Sequence, residues 1–275
     1  MAYIVAATNN KGGSTKTTET IGVAHAGVDA GMRVLVVDCD LQGNATSYLT
    51  GRQYPDDWFD TSIADVLDPD TDANERIHPR EVIVPSQRDG LDVLPAGDLA
   101  AMERMERLLA AAAGREFFLT IALEQIEDDY DLILIDSPPS VNVITANVHL
   151  AAKTGLIVVA TPAAGDVAGI VKTVQTVEGY NAPPLNRLLL NPVRIIGAVV
   201  ARMDIRSKAK DAYLEQIVNL VDEFDIPVLG VPIPEWAFIA QATAVGASVA
   251  DTGDSRAGFV QTQFTAVLDA IKKEG

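Results

Sequence analysis

Two lysines, Lys11 and Lys16, bracket the small residues Gly12, Gly13, Ser14 and Thr15, and two hydroxyls, Thr17 and Thr18, follow at once. Adjacent glycines let successive backbone N–H groups curl around an anion, and a helix starting at Lys16 adds its partial positive charge. The chemistry this predicts is capture of a polyphosphate. Lys16 reaches the β- and γ-phosphates, the Thr17 hydroxyl ligates Mg²⁺, and Thr18 is placed for the α-phosphate. The strict pattern GxxxxGK[ST] is not met, because Asn10 and Thr15 occupy its two glycine positions. A Cβ at position 15 either crowds the phosphate or forces positive φ on a β-branched residue.

Two further stretches end in carboxylates. Arg33 to Asp38 is an apolar run with Asp38 and Asp40 at its end, and Leu132 to Asp136 is another, followed by Pro138 and Pro139. Open α/β sheets bind ligands at the carboxyl ends of their strands. Asp38 either joins such a site or caps a turn. An acid ending an apolar strand, as Asp136 does, holds Mg²⁺ through water in P-loop enzymes.

These groups need a scaffold, and short apolar runs alternating with longer helical patterns supply one. They predict a doubly wound α/β fold, a mostly parallel sheet with helices on both faces, as a single domain over 1–275. Strands are expected at Tyr3 to Thr8, Arg33 to Asp38, Leu91 to Pro95, Leu132 to Asp136, Leu156 to Ala160, Ile195 to Ala201 and Val228 to Val231. The first helix runs from Lys16 to Ala30, with Gly31 as a left-handed stop. Asp98 to Asp129 is helical with a break at Gly114, and Ala257 to Lys273 is an amphipathic helix packing on the sheet. Gln53 to Asp60 and Asp68 to Arg80 read as surface loops.

Taken together, the boxes resemble the deviant Walker A ATPases of the ParA/MinD family. Lys11 to Thr17 matches KGGxxK[ST], whose first lysine is its distinguishing mark. Arg33 to Thr46, RVLVVDCDLQGNAT, resembles VLLVDxDPQGNAT with Leu41 in place of proline, and Tyr130 to Ser140, YDLILIDSPPS, resembles the Walker B strand and second switch. Ile233 to Val249 resembles the stretch that borders the adenine, which implies nucleotide contacts at Pro232, Ile233 and Pro234. QGNAT, the Pro-Pro pair and Met203-Asp204-Ile205-Arg206 are most similar to the partition ATPases. The likeness covers nearly the whole chain, least so Gln53 to Arg80.

The resemblance implies ATP and Mg²⁺ as cofactors and an ATP-dependent sandwich homodimer in which Lys11 crosses to the other subunit's nucleotide. It implies that Asp40 positions the attacking water beside Mg²⁺, so that Lys11, Lys16 and Asp40 are catalytic and Thr17, Asp40 and Asp136 hold metal. Gly12, Gly13, Ser14, Thr15 and Thr18 complete the phosphate cradle. Asn147 stands where the family often has asparagine, and also reads as a helix-surface amide. A ParB-like or other adaptor is the implied partner. Nonspecific DNA binding, a family trait, is weakened here by Glu235 in place of an arginine and by a net charge of −17. Arg202, Arg206, Lys208 and Lys210 form a local basic cluster, which also reads as a solvated helix start.

Composition excludes other classes. One cysteine, Cys39, builds neither a disulfide nor a shared iron–sulfur cluster of two cysteines per chain. The N-terminus lacks a secretory pattern, no apolar run approaches the ~20 residues of a membrane span, and the C-terminal helix carries only Lys272 and Lys273 as basic residues. A cytoplasmic, non-membrane protein is expected, with nucleoid association if DNA is bound. Two other readings stay open, a nucleotide-gated binding module with little hydrolysis and a small-molecule ligase or kinase on the same fold.

Overall fold

The computed structural model describes all residues except 10–14, 72–75, 163–164, 188, 190, 208 and 275. Seven strands form one sheet, β1 (Tyr3–Thr8), β2 (Val34–Asp38), β3 (Val84–Pro85), β4 (Leu91–Leu94), β5 (Leu132–Asp136), β6 (Gly155–Ala160) and β7 (Ile195–Val200), in the order β3-β4-β2-β5-β1-β6-β7. Every pairing is parallel except the short β3 against β4.

The strand sequences explain the layering, because successive side chains alternate between faces. Val34 and Val36 join Val5, Leu132 and Leu134 in the apolar layer on one face. Leu35 and Val37 join Ile4, Ile133 and Ile135 on the other. The first layer is closed by α1 (Lys16–Asp29) and α11 (Ala257–Glu274), beside α2 (Asn44–Thr50) and α10 (Ala237–Ala244). The opposite face is covered by α3 (Ile63–Val66), α4 (Pro79–Val82), α5 (Leu99–Ala111), α6 (Phe118–Glu124) and α7 (Val143–Ala151). Around β6 and β7 that cover passes to α8 (Asp166–Asn181) and α9 (Lys210–Glu223). Phe264 of α11 lies so close to α1 that a Cβ on Gly22 would stand 2.3 Å from its ring. The expected C-terminal helix therefore packs on α1, burying Val260, Phe264, Val267, Leu268 and Ile271.

Connectivity places the functional end. From β1 the chain passes through α1 to β2 on one side, and from β5 through α7 to β6 on the other, so the winding direction changes beside β1. The crevice beyond the carboxyl ends of β1, β2 and β5 is where such sheets bind ligands.

Three expectations need correction. Val228 to Val231 is not a strand. Val228 makes a single bridge to Ala198, then Gly230 turns to φ +70° and the Val231 N–H donates to Gln263 Oε1 at 2.8 Å, which interrupts the pairing until Ile233. The Asp68 to Arg80 loop ends in α4, whose N-terminus is capped by His78 and Glu81. Asn147, fully buried, is no surface amide: it accepts from the Leu119 N–H at 3.0 Å and donates to the Arg115 carbonyl at 2.6 Å, tying α7 to the start of α6.

Candidate functional site

Lys11, Gly12, Gly13 and Ser14 lie outside the described residues. Thr15, which caps α1, has φ 63° and ψ 21°, the left-handed region foreseen for a residue in glycine's place. Lys16 follows, only 6% exposed, with Nζ 3.5 Å from the Asn9 carbonyl oxygen. Burial pulls its ammonium below the usual lysine range, while the carboxylates of Asp136, Asp40 and Asp166 pull it back up. An added polyphosphate would act in the same direction as those acids and stabilise the charged form.

The Thr17 hydroxyl donates to Asp136 Oδ2 at 2.6 Å. Asp136 is fully buried and its other oxygen, Oδ1, has no hydrogen-bond partner. Burial first, then the neighbouring Asp38, pushes its carboxyl up to about 8. Asp38 is its register partner on β2 and is equally buried, yet it is saturated. It accepts from the Thr46 N–H and the Thr46 hydroxyl, both at 2.8 Å, and from the Asp40 N–H at 3.1 Å. Its carboxyl rises only to about 6, because those bonds offset part of the burial. Thr46 in turn accepts from the Ala96 N–H at 2.9 Å, so Asp38 pins the segment Asp40 to Thr46 to the ends of β2 and β4.

Asp40 is half-buried at the start of that segment and accepts the Gln42 N–H at 3.0 Å. Its charge acts on both Lys16 and Asp136. Gly43 caps α2 at φ 60°, and a Cβ there would stand 2.8 Å from the Trp58 ring. Trp58 belongs to the expected surface loop, edge-on to Tyr54 and Phe59, with its buried Nε1 unpartnered. Cys39, between the two acids, is buried and its thiol is pushed well up by that burial, so it offers no thiolate chemistry.

The Thr17 hydroxyl and the bare Asp136 oxygen fit Mg²⁺. That ion keeps several waters and takes phosphate oxygens, so it needs only one or two protein oxygens.

A cleft of about 350 Å³ opens beside Thr15 and Thr18 and is walled by Ile233, Pro234 and Trp236. Its wall hangs on the end of β7: the Ile233 N–H donates to the Val200 carbonyl, the Met203 N–H to the Ile233 carbonyl, and the Glu235 N–H to the Met203 carbonyl, each at 2.9 Å. Pro232 precedes this pinned segment and is not among the residues that line the cleft. Arg202 and Glu235 line the cleft as a pair, Nε to Oε1 at 2.7 Å.

Residues 2–188 match the AAA_31 family, described as an AAA domain. The chain is 33% identical over 219 residues to the sporulation initiation inhibitor protein Soj of Bacillus subtilis, covering 79% of each. It is 30% identical over 253 residues to a ParA family protein of Chlamydia trachomatis, covering 91% of each. Its fold is similar to the cell division ATPase MinD of Pyrococcus furiosus, with a TM-score of 0.73, 23% identity and full coverage of both chains. It is also similar to cobyrinic acid a,c-diamide synthase of Mycobacterium smegmatis, crystallised with ADP and magnesium, with a TM-score of 0.76, 27% identity and 100% and 97% coverage. The chain belongs to the ParA/MinD family of ATPases.

Within this ParA/MinD-family chain the basic cluster is largely answered by acids. Arg202 pairs with Glu235, Arg206 approaches Asp204 at 3.6 Å and Lys210 approaches Asp211 at 2.9 Å, while Lys208 lies outside the described residues. No helix among the described residues is long and apolar enough to cross a membrane. Sequence reasoning missed Glu19, which lines the cleft at 4% exposure and whose carboxyl burial pushes up to about 8. An acid in a helix's first turn ordinarily answers the helix dipole at the surface, so its type gave no warning.

Proposed function

We propose that this chain is a ParA-like ATPase that binds ATP with Mg²⁺, dimerises around two nucleotides, and uses the cycle to partition or position DNA or another cargo. The observation that supports it most is the Thr17–Asp136 bond, which leaves one buried carboxylate oxygen bare beside the buried Lys16 at the ligand end of the sheet. That arrangement costs energy when empty and is repaid by a cation and phosphates together.

In this mechanism Lys16 neutralises charge between the β- and γ-phosphates and Thr18 meets the α-phosphate, and Gly12, Gly13, Ser14 and Thr15 are assigned to the same phosphates. Thr17 and Asp136 would hold Mg²⁺, with Asp40 beside them; the ion, when bound, supplies charge neutralisation on the phosphates. Asp40 orients the water that attacks in line, and Lys11 crosses to the partner subunit's nucleotide. The segments 40–46 and 136–140 sense the γ-phosphate and change the partner surface, so turnover is slow until an adaptor, ParB-like or other, binds there. Paired basic residues and the net charge of −17 make DNA binding weak and salt-sensitive.

The test uses two lysines. Lys16→Ala abolishes ATP binding in calorimetric titration. Lys11→Ala keeps binding as a monomer but loses ATP-dependent dimerisation, seen by light scattering, together with hydrolysis. Normal dimerisation and turnover in Lys11→Ala would sink the sandwich and favour the second reading, a small-molecule ligase, which the likeness to the diamide synthase supports. Measured turnover near zero with intact binding would favour a nucleotide-gated module, the reading that the left-handed Thr15 supports.

A further inference from the structure

Glu19 is a buried carboxyl that the mechanism above leaves unused. It lies one residue past Thr18 on the first turn of α1, is 4% exposed, and its Oε2 has no hydrogen-bond partner. A buried acceptor without a donor is costly, and in a folded protein such a group calls for a specific explanation. Glu19 faces two spaces. One is the cleft of about 350 Å³ shared with Thr18, Ile233 and Pro234; the other is an interior cavity of about 20 Å³ beneath α1, shared with Thr20. The charged residues Arg202 and Glu235, on the far wall of the cleft, satisfy each other. Glu19 thus borders the cleft next to Thr18, the residue to which the proposed mechanism gives the α-phosphate, and rotation about its last side-chain bond can present either oxygen.

We propose that Glu19 is a nucleoside-reading residue, whose carboxyl oxygen accepts a hydrogen bond from a donor on the base or ribose of the bound nucleotide. This inference rests on the nucleotide reading of the cleft and adds to it a residue that recognises the part of the ligand beyond the phosphates. An acceptor is all the contact requires, so a glutamine side chain, with its amide oxygen, serves as well. A leucine fills similar space and accepts nothing. The competing explanation is an internal water in the small cavity, which holds about one water's volume.

The experiment compares Mg-ATP with Mg-tripolyphosphate, which offers the phosphates and no nucleoside, on the full chain and on Glu19→Leu and Glu19→Gln. In the wild-type protein ATP binds more tightly than tripolyphosphate. Glu19→Leu weakens ATP by roughly ten- to a hundredfold, the loss expected when a buried hydrogen-bond partner disappears, and leaves tripolyphosphate unchanged. Glu19→Gln keeps both affinities near wild type. Within the nucleoside, 2′-deoxy-ATP and 3′-deoxy-ATP test the ribose donors and purine riboside triphosphate tests the exocyclic amine. Whichever analogue lacks the donor binds wild type and Glu19→Leu alike. Equal ATP affinity in Glu19→Leu and wild type overturns the inference, as an internal water predicts, and so does parallel loss of both ligands, which marks a structural role in α1. If the wild-type chain binds neither ligand, the nucleotide reading falls and this inference with it. If it binds tripolyphosphate as tightly as ATP, the phosphate site stands and only the nucleoside reading fails.

Discussion

Asp38 and Asp136 end neighbouring strands in register, both fully buried, and they do opposite work. Asp38 takes three hydrogen bonds from Thr46 and Asp40, whereas Asp136 takes one from Thr17 and leaves an oxygen bare. Burial and charge of the same sign act on both, so the difference lies in the local donors. A carboxylate that the protein saturates is a strut, and one that the protein leaves short of donors is waiting for something else. Position on the sheet does not separate the two; counting their partners does.

The largest expected effect breaks the strut. Asp38→Ala strands the Thr46 N–H, the Thr46 hydroxyl and the Asp40 N–H, and should cost about 3–5 kcal/mol of stability by urea unfolding. A loss below about 1 kcal/mol would show that the three bonds hold nothing and that the contrast with Asp136 is empty.

The second effect is opposite in kind. Without nucleotide or metal, Asp136→Asn should be neutral or stabilising, because it removes a buried group whose ionisation the fold resists. The sign follows from its raised carboxyl: from its ordinary 3.8 up to about 8 the unfolded chain is ionised while the folded one keeps its proton. Stability from this group is therefore full at acid pH and drains as pH rises through that window, by up to about 1.4 kcal/mol per pH unit. Asp136→Asn should flatten that slope, and with saturating Mg-ATP it should forfeit most of the ligand's stabilisation, about 2.7 kcal/mol for wild type at a hundredfold excess over Kd. A slope that persists unchanged in the variant assigns the titration elsewhere.

The smallest effect lies on the phosphate side of the same crevice. Thr15→Gly relieves a left-handed β-branched residue and should raise stability by about 0.5–1 kcal/mol, after allowing for the looser unfolded chain. A lowered urea midpoint would mean that the threonine side chain contributes more than its backbone costs.

The scaffold was legible where a single physical rule governs. Runs such as Val34–Asp38 and Leu132–Asp136 are apolar on both faces and became the central strands. That Lys16, Thr17 and Asp136 come together was legible because the ends of β1 and β5 bring their motifs side by side. The reading failed where a tertiary partner decides. Nothing local announces that Gln263, some thirty residues on in the last helix, takes the Val231 N–H and stops a strand. Asn147 and Glu19 look like surface residues of helices, and only the packing of α6 on α7, and of α1 over the sheet, buries them.

The two tryptophans stand on different parts of this machinery. Trp58 rests against Gly43, in the segment that Asp38 pins, and Trp236 forms part of the cleft wall, stacked with Phe238 and under the Arg256 guanidinium. With two indoles in the chain, replacing either by phenylalanine leaves a single emitter. On the proposed cycle, stopped-flow fluorescence on the Trp236-only chain would then time nucleoside entry, and on the Trp58-only chain the rearrangement of segment 40–46. The interval between the two signals is the lag between capturing the ligand and announcing it.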